Sequence, residues 1–141
     1  MHSDPELTAL LARVKTVAVV GAVDKPSRPV DGVGRYLMAA GLTVIPVHPK
    51  RTDVWGLPTY PDLASVPVPI DLVDLFRAPE HIPAHAREVL ALAHRPLAFW
   101  MQQGVTSPEA EAILAGSGIA VIQDRCLAVA HRLLLGGRDR A

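Results

Sequence analysis

The segment Thr16-Val17-Ala18-Val19-Val20-Gly21 most narrows what this chain can fold into. A strand wetted on one face alternates apolar and polar residues. After Thr16 this run has no polar residue, so both of its faces must be covered. Parallel sheets with helices on either side provide that environment. Four more mainly apolar segments read as strands: Leu42 to Val47, Ile70 to Phe76, Leu97 to Gln102 and Ile119 to Ile122. Between them, apolar residues recur at helical spacing, as at Val33, Tyr36, Leu37 and Ala40, then Ala86, Val89, Leu90 and Ala93, then Ala110, Ile113 and Leu114. This alternation predicts an α/β fold with right-handed crossovers: a Rossmann-like or flavodoxin-like open parallel sheet of about five strands with helices on both faces.

The boundaries follow from local chemistry. Ser3-Asp4-Pro5-Glu6 offers a capping side chain and then proline, predicting a short helix over 4–14. Gly41 stands where glycine closes a helix, and His48-Pro49 stops the second strand. Residues 50–68 form a long proline-punctuated connection, with one helical turn expected near Asp62-Leu63-Ala64. Ser107-Pro108 opens another helix, Asp124 is expected to cap a last one from Cys126 to Leu135, and the tail 136–141 is expected to fray. The whole, 1–141, fits one domain.

Lysine plus arginine number 14 and aspartate plus glutamate 14, so no global basic field favours nucleic acid. A single cysteine excludes an internal disulfide framework and a multi-cysteine zinc site. The six histidines form no metal motif: His81 and His85 are four apart, but no third ligand accompanies them, and all six are expected at the surface. No apolar run approaches the roughly 20 residues of a membrane span, and no signal peptide is evident, so a cytoplasmic protein is expected.

In parallel α/β sheets ligands gather at the carboxyl ends of the strands, which directs attention to five edges. After the first strand, Gly21 permits a sharp turn, and the following helix start together with Lys25 and Arg28 suits an anion, most naturally a phosphate or pyrophosphate. The alternative is an ordinary solvated loop. The G-x-G-x-x-G fingerprint is absent; Gly32 and Gly34 come too late and read as packing of the helix on the sheet. After the second strand stand His48, Lys50 and Arg51 in place of the carboxylate that holds the ribose of NAD, which favours a ligand with an extra phosphate such as NADP or coenzyme A, or else a solvated basic loop. Arg77 ends the third strand, able to fork onto phosphate or to pair with Glu80, and Phe76 beside it reads first as core. Asp71 and Asp74 lie inside that strand, not at its end, unlike a phospho-acceptor aspartate. The fourth edge brings Gln102, Gln103 and Gly104; the fifth brings Cys126, either a small buried hydrophobe or a thiol on the ligand side.

Five ordered segments carry a family resemblance: Val19-Val20-Gly21-Ala22 with Asp24-Lys25-Pro26-Ser27-Arg28-Pro29; Val44-Ile45-Pro46-Val47-His48-Pro49; Val73-Asp74-Leu75-Phe76-Arg77; Trp100-Met101-Gln102-Gln103-Gly104-Val105; and Asp124-Arg125-Cys126. From about Leu7 to Leu135 the chain resembles the small CoA-binding proteins and is similar to the N-terminal nucleotide-binding domain of succinyl-CoA synthetase alpha subunits. The resemblance implies a Rossmann-type sheet with coenzyme A as ligand. It places Gly21, Ala22, Val23, Lys25, Pro26, Arg28 and Pro29 along the nucleotide. Val47, His48 and Pro49, with Phe76 and Arg77, would line the adenosine and phosphate pocket, and Gln102, Gln103 and Gly104 would approach the pantetheine arm. Val23 departs from the polar residue common in the family, and His48 from its usual asparagine.

The synthetase's phosphorylated histidine belongs to a second domain, and no nucleophile–base–orienter set is legible here. The expected role is therefore a non-catalytic module that binds CoA or an acyl-CoA as a carrier or sensor. The expected partner is this small molecule, not nucleic acid or membrane, with a protein partner left open. Two alternatives remain: an NAD(P)-binding oxidoreductase-type domain, supported by fold alone, and a thiol function in which Cys126 pairs with the CoA sulfur.

Overall fold

The structure, a computed structural model, describes residues 2–136. Its elements run α1 (Asp4–Ala12), β1 (Thr16–Val20), α2 (Pro29–Ala39), β2 (Thr43–Val47), β3 (Asp53–Val54), β4 (Leu57–Pro58), β5 (Leu72–Leu75), α3 (Ile82–Leu90), β6 (Ala98–Met101), α4 (Pro108–Leu114), β7 (Ala120–Ile122) and α5 (Leu127–His131). A 3-10 turn, Pro79–His81, leads into α3, and a π-helical turn, Arg132–Gly136, continues α5.

Five strands form one parallel sheet in the order β2-β1-β5-β6-β7. The strands read as buried runs because both faces are packed. Val17, Val19, Leu72, Ala98 and Trp100 meet α1, α2 and α5 through Leu7, Leu11, Val33, Leu37 and Leu127. Ala18, Val20, Val73, Leu75, Phe99 and Met101 meet α3 and α4 through Ile82, Ala86, Val89, Ala110 and Leu114. The chain is thus a Rossmann-like α/β sheet with helices on both faces. Pro46 sits in β2, an edge strand, where its missing N–H is tolerated.

Several local expectations need correction. Helix α1, closed at its start by the reciprocal Ser3–Glu6 capping box, ends at Ala12 and not at residue 14. The Asp71 carboxylate takes the N–H groups of Lys15 and Thr16 at 2.9 and 3.0 Å and turns the chain into β1. The connection after β2 holds the antiparallel hairpin β3–β4, which was not expected, and near Asp62 a single turn closed by the Val66 N–H on the Leu63 carbonyl at 3.2 Å. The Asp62 carboxylate opens that turn by accepting from the Ser65 N–H and hydroxyl. Asp124 does not cap the last helix. It lies at φ 55° and its carboxylate accepts the N–H of Gly104. Helix α5 begins at Leu127, whose N–H is taken at 3.0 Å by Oε1 of Gln102, and it passes into the π turn before Leu135. His131 is buried, bonded to the Tyr36 hydroxyl at 2.8 Å, and is not a surface residue. Gly34 packs against the ring of Trp55, not against the sheet, and a β-carbon at Gly32 would meet open space. Residues 137–141 of the tail expected to fray lie outside the described residues; Gly136 closes the π turn.

Candidate ligand-binding site

The chain leaves β1 for β2 on one side and returns to β5 on the other, so the loops after β1 and β5 diverge at the carboxyl edge. Such a switch of direction opens a crevice. Gly21 stands at its centre with φ 86°, and a β-carbon there would run into the carbonyl of Phe76. Glycine alone lets the two loops approach this closely and leaves bare backbone facing the crevice.

The crevice is a cavity of about 430 Å³. Arg28, Pro29, Val30 and Val33 form one wall at the start of α2; Gly21, Phe76 and Arg77 form the floor; Gln102, Gln103, Val105 and Cys126 form the opposite wall. A smaller cavity of about 170 Å³ adjoins it over the end of β2 and shares Gly21 and Arg77. Its other walls come from Val47 and Pro49, from Pro61 and Asp62, and from His85 and Glu88 of α3. The two share a border at Gly21 and Arg77 and make one trough across the carboxyl edge, its surface mainly apolar in both parts.

Unneutralised cations collect at the junction. Among the described residues no carboxylate pairs with Arg28 or Arg77, and Nε of Arg77 is buried with no partner. The expected alternative, an Arg77–Glu80 pair, does not form. His48 is half-buried beside the smaller cavity, and its Nδ1 accepts the Lys50 N–H at 3.0 Å. Burial first, then the charges of Arg51, Arg77 and Lys50, hold its imidazole below the ordinary histidine value, so it is neutral at pH 7. No side chain caps α2; Pro29 has no N–H and the Asp31 N–H is bonded to the Arg28 carbonyl, so the Val30 N–H is the donor left beside the cavity at the helix start. Arginines without a counter-charge beside an open helix start suit an anion with several charges.

The expected residues divide cleanly. Gly21, Arg28, Pro29, Phe76, Arg77, Gln102, Gln103 and Cys126 line the main cavity, and Val47 and Pro49 the smaller one. Phe76 also packs on the core. Ala22 is fully buried and Val23 packs against that core, so neither side chain lines the trough. Lys25 and Pro26 are exposed on the loop, and Gly104 is exposed with its N–H committed to Asp124. Gln102 is 5% exposed and spends its amide oxygen on α5, leaving Gln103 as the freer amide. Val30, Val33, His85 and Glu88 escaped the strand-end search because helices carry them to the edge. The spacing of His85 and Glu88, which pair at 2.9 Å, was the available signal. Among the described residues no group of three metal-ligating side chains occurs, and no helix is long and apolar enough to cross a membrane.

A family model described as "CoA binding domain" matches residues 15–132. The chain is 38% identical over 129 residues to the uncharacterized protein YneT of Bacillus subtilis strain 168, covering 92% of this chain and 94% of that protein. Among solved structures, cell-free ID.343 from Thermus thermophilus is 42% identical, with a TM-score of 0.87 and coverage of 95% of this chain and 100% of that one. A hypothetical protein from Pyrococcus horikoshii OT3 is 31% identical, with a TM-score of 0.90 and coverage of 96% and 94% respectively.

Proposed function

This chain belongs to the CoA binding domain family, and from that premise we propose that the trough binds coenzyme A or an acyl-CoA, serving as a binding, carrier or sensor module. The observation that carries the reading is the pair of uncompensated arginines, Arg28 and Arg77, on either side of the bare backbone at Gly21. The pyrophosphate lies against Gly21 and the start of α2, within reach of both guanidinium groups. The adenosine end, with its extra phosphate, occupies the β2 side near Val47, His48 and Pro49, where Lys50 and Arg77 supply positive potential and Arg51 is paired with Asp24. The pantetheine arm runs along the apolar half of the main cavity, past Val33 and Val105, with Gln103 available to its amides.

Calorimetric titration with CoA and with dephospho-CoA tests this. CoA is expected to bind, and dephospho-CoA to bind more weakly. Arg77→Ala is expected to lower CoA affinity by about tenfold or more, since a charged hydrogen bond contributes roughly 1.5–3 kcal/mol. No heat from either ligand at millimolar concentration would overturn the reading.

A second reading is favoured by one observation: Cys126, a free thiol, lines the main cavity. The Cys126 thiolate would attack one sulfur of CoA disulfide, forming a protein–CoA disulfide and releasing the other CoA as thiolate, which takes up the proton Cys126 gave to solvent. Mass spectrometry after incubation with CoA disulfide is expected to show one CoA adduct on the native chain and none on Cys126→Ser. An adduct on the serine variant would refute it.

A further inference from the structure

Trp55 occupies a place that its own hairpin disfavours. Strands β3 and β4 are joined by Trp55 and Gly56, both at positive φ, 56° and 71°. This is the mirror-image turn that matches the twist of a hairpin, and its first position suits Asn, Asp or Gly. A bulky side chain in the left-handed region is a genuine outlier, and such outliers persist only where the surroundings over-determine them.

The compensation lies outside the hairpin. The indole sits so closely on Gly34 of α2 that a β-carbon there would run into the ring. Its Nε1–H donates to Oδ1 of Asp31 at 2.8 Å. Asp31 is 4% exposed and also receives Nε–H of Arg35 on both oxygens, at 3.1 and 3.0 Å. The backbone N–H of Trp55 donates to Oδ2 of Asp24 at 3.4 Å, and Nη1 of Arg51 meets the other Asp24 oxygen at 3.5 Å.

Asp24 and Asp31 bracket the stretch that carries Lys25 and Arg28 and opens α2. The bonds inside this stretch are turn contacts: Arg28 N–H to the Lys25 carbonyl at 2.9 Å, and Asp31 N–H to the Arg28 carbonyl at 3.1 Å. Val30 anchors the end of this stretch in the core, and its side-chain polar ties to elements other than α2 run from Asp24 and Asp31 to the Arg51–Trp55 segment. One residue fastens both ends of the loop, one with its backbone and the other with its ring.

We propose that Trp55 is a positioning residue for the ligand: by fastening Asp24 and Asp31 it fixes residues 22–28 in the shape that presents Arg28 to the trough. The proposal rests on the reading of the trough as a CoA site. It deepens that reading by assigning the hairpin, which touches neither cavity, a part in affinity.

Trp55→Phe removes the N–H that Asp31 accepts together with the outer indole atoms that lie on Gly34. Gly34→Ala displaces the ring and leaves Trp55 intact. For each variant two quantities are measured: amide hydrogen exchange of residues 22–31, and CoA affinity in the native and Arg28→Ala backgrounds. The expected result is faster exchange confined to 22–31 in both variants. CoA affinity should fall by about tenfold in Trp55→Phe, and this loss should vanish once Arg28 is alanine, because both changes then act on one contact. A change that merely weakened the fold would add to Arg28→Ala. Additive losses, or loop exchange unchanged in both variants, overturn the proposal. If the native chain binds no CoA, the CoA reading fails by itself, and the exchange of 22–31 alone decides whether Trp55 fastens the loop.

Discussion

Asp74 is the most costly residue in the sheet. It lies in β5, level with Val19 on one side and Trp100 on the other, fully buried with neither carboxylate oxygen hydrogen-bonded. Burial pushes its pKa well above the ordinary carboxylate value by disfavouring the charged form. The folded chain keeps this proton over a pH range in which the unfolded chain has lost it. The group's contribution is therefore complete below the unfolded value, about 4, and is lost as pH rises through the raised folded value. Comparing urea midpoints of the native chain and Asp74→Asn across pH 3–8 is expected to show the native chain losing ground to the variant with rising pH; parallel curves would refute this. Gly21 gives a second prediction at the same scale. Its φ of 86° and the nearby Phe76 carbonyl mean that Gly21→Ala is expected to cost more than about 1 kcal/mol in chemical unfolding and to weaken CoA binding. Gly21, Arg28 and Arg77 were legible in the sequence because each sits at a strand end or helix start, where a topological rule applies. The isolation of Asp74 was not legible, since hydrogen-bond satisfaction depends on what the neighbouring strands and helices offer.

At the scale of elements, strands and helices differ in how far the sequence reveals them. β1 and β6 were visible because burial on both faces leaves an apolar run that no helix period explains, and β5 because Leu72, Val73 and Leu75 remain so around Asp74. The β3–β4 hairpin was invisible, because two-residue strands have no period to detect and Trp55 stands at the turn's first position in place of the usual Asn, Asp or Gly. The cap of α5 was misassigned for a related reason. A side chain from β6, remote in sequence, does the capping, while the nearby Asp124 is drawn to Gly104. The two glutamines of this edge therefore separate by role. Gln102→Ala is expected to destabilise the fold by about 1–2 kcal/mol through the lost cap. Gln103→Ala, altering an exposed cavity residue, is expected to leave unfolding unchanged and to reduce CoA affinity. Chemical unfolding and titration of both variants check the division; equal stability losses would refute it.

For the whole molecule, the strand order β2-β1-β5-β6-β7 decides where a ligand can lie. Both cavities meet at the point where the chain reverses its direction of travel across the sheet, and the free arginines face that point. The account stands or falls on that location. Titrating CoA into the isotope-labelled native chain and following backbone amide shifts by NMR tests it most directly. The account predicts the largest changes at Gly21–Val30, Phe76–Arg77 and Gln103–Val105, with α1 and the amino-terminal ends of the strands still. Shifts concentrated on α1 or at that opposite edge of the sheet, or no shifts at millimolar CoA, would contradict it.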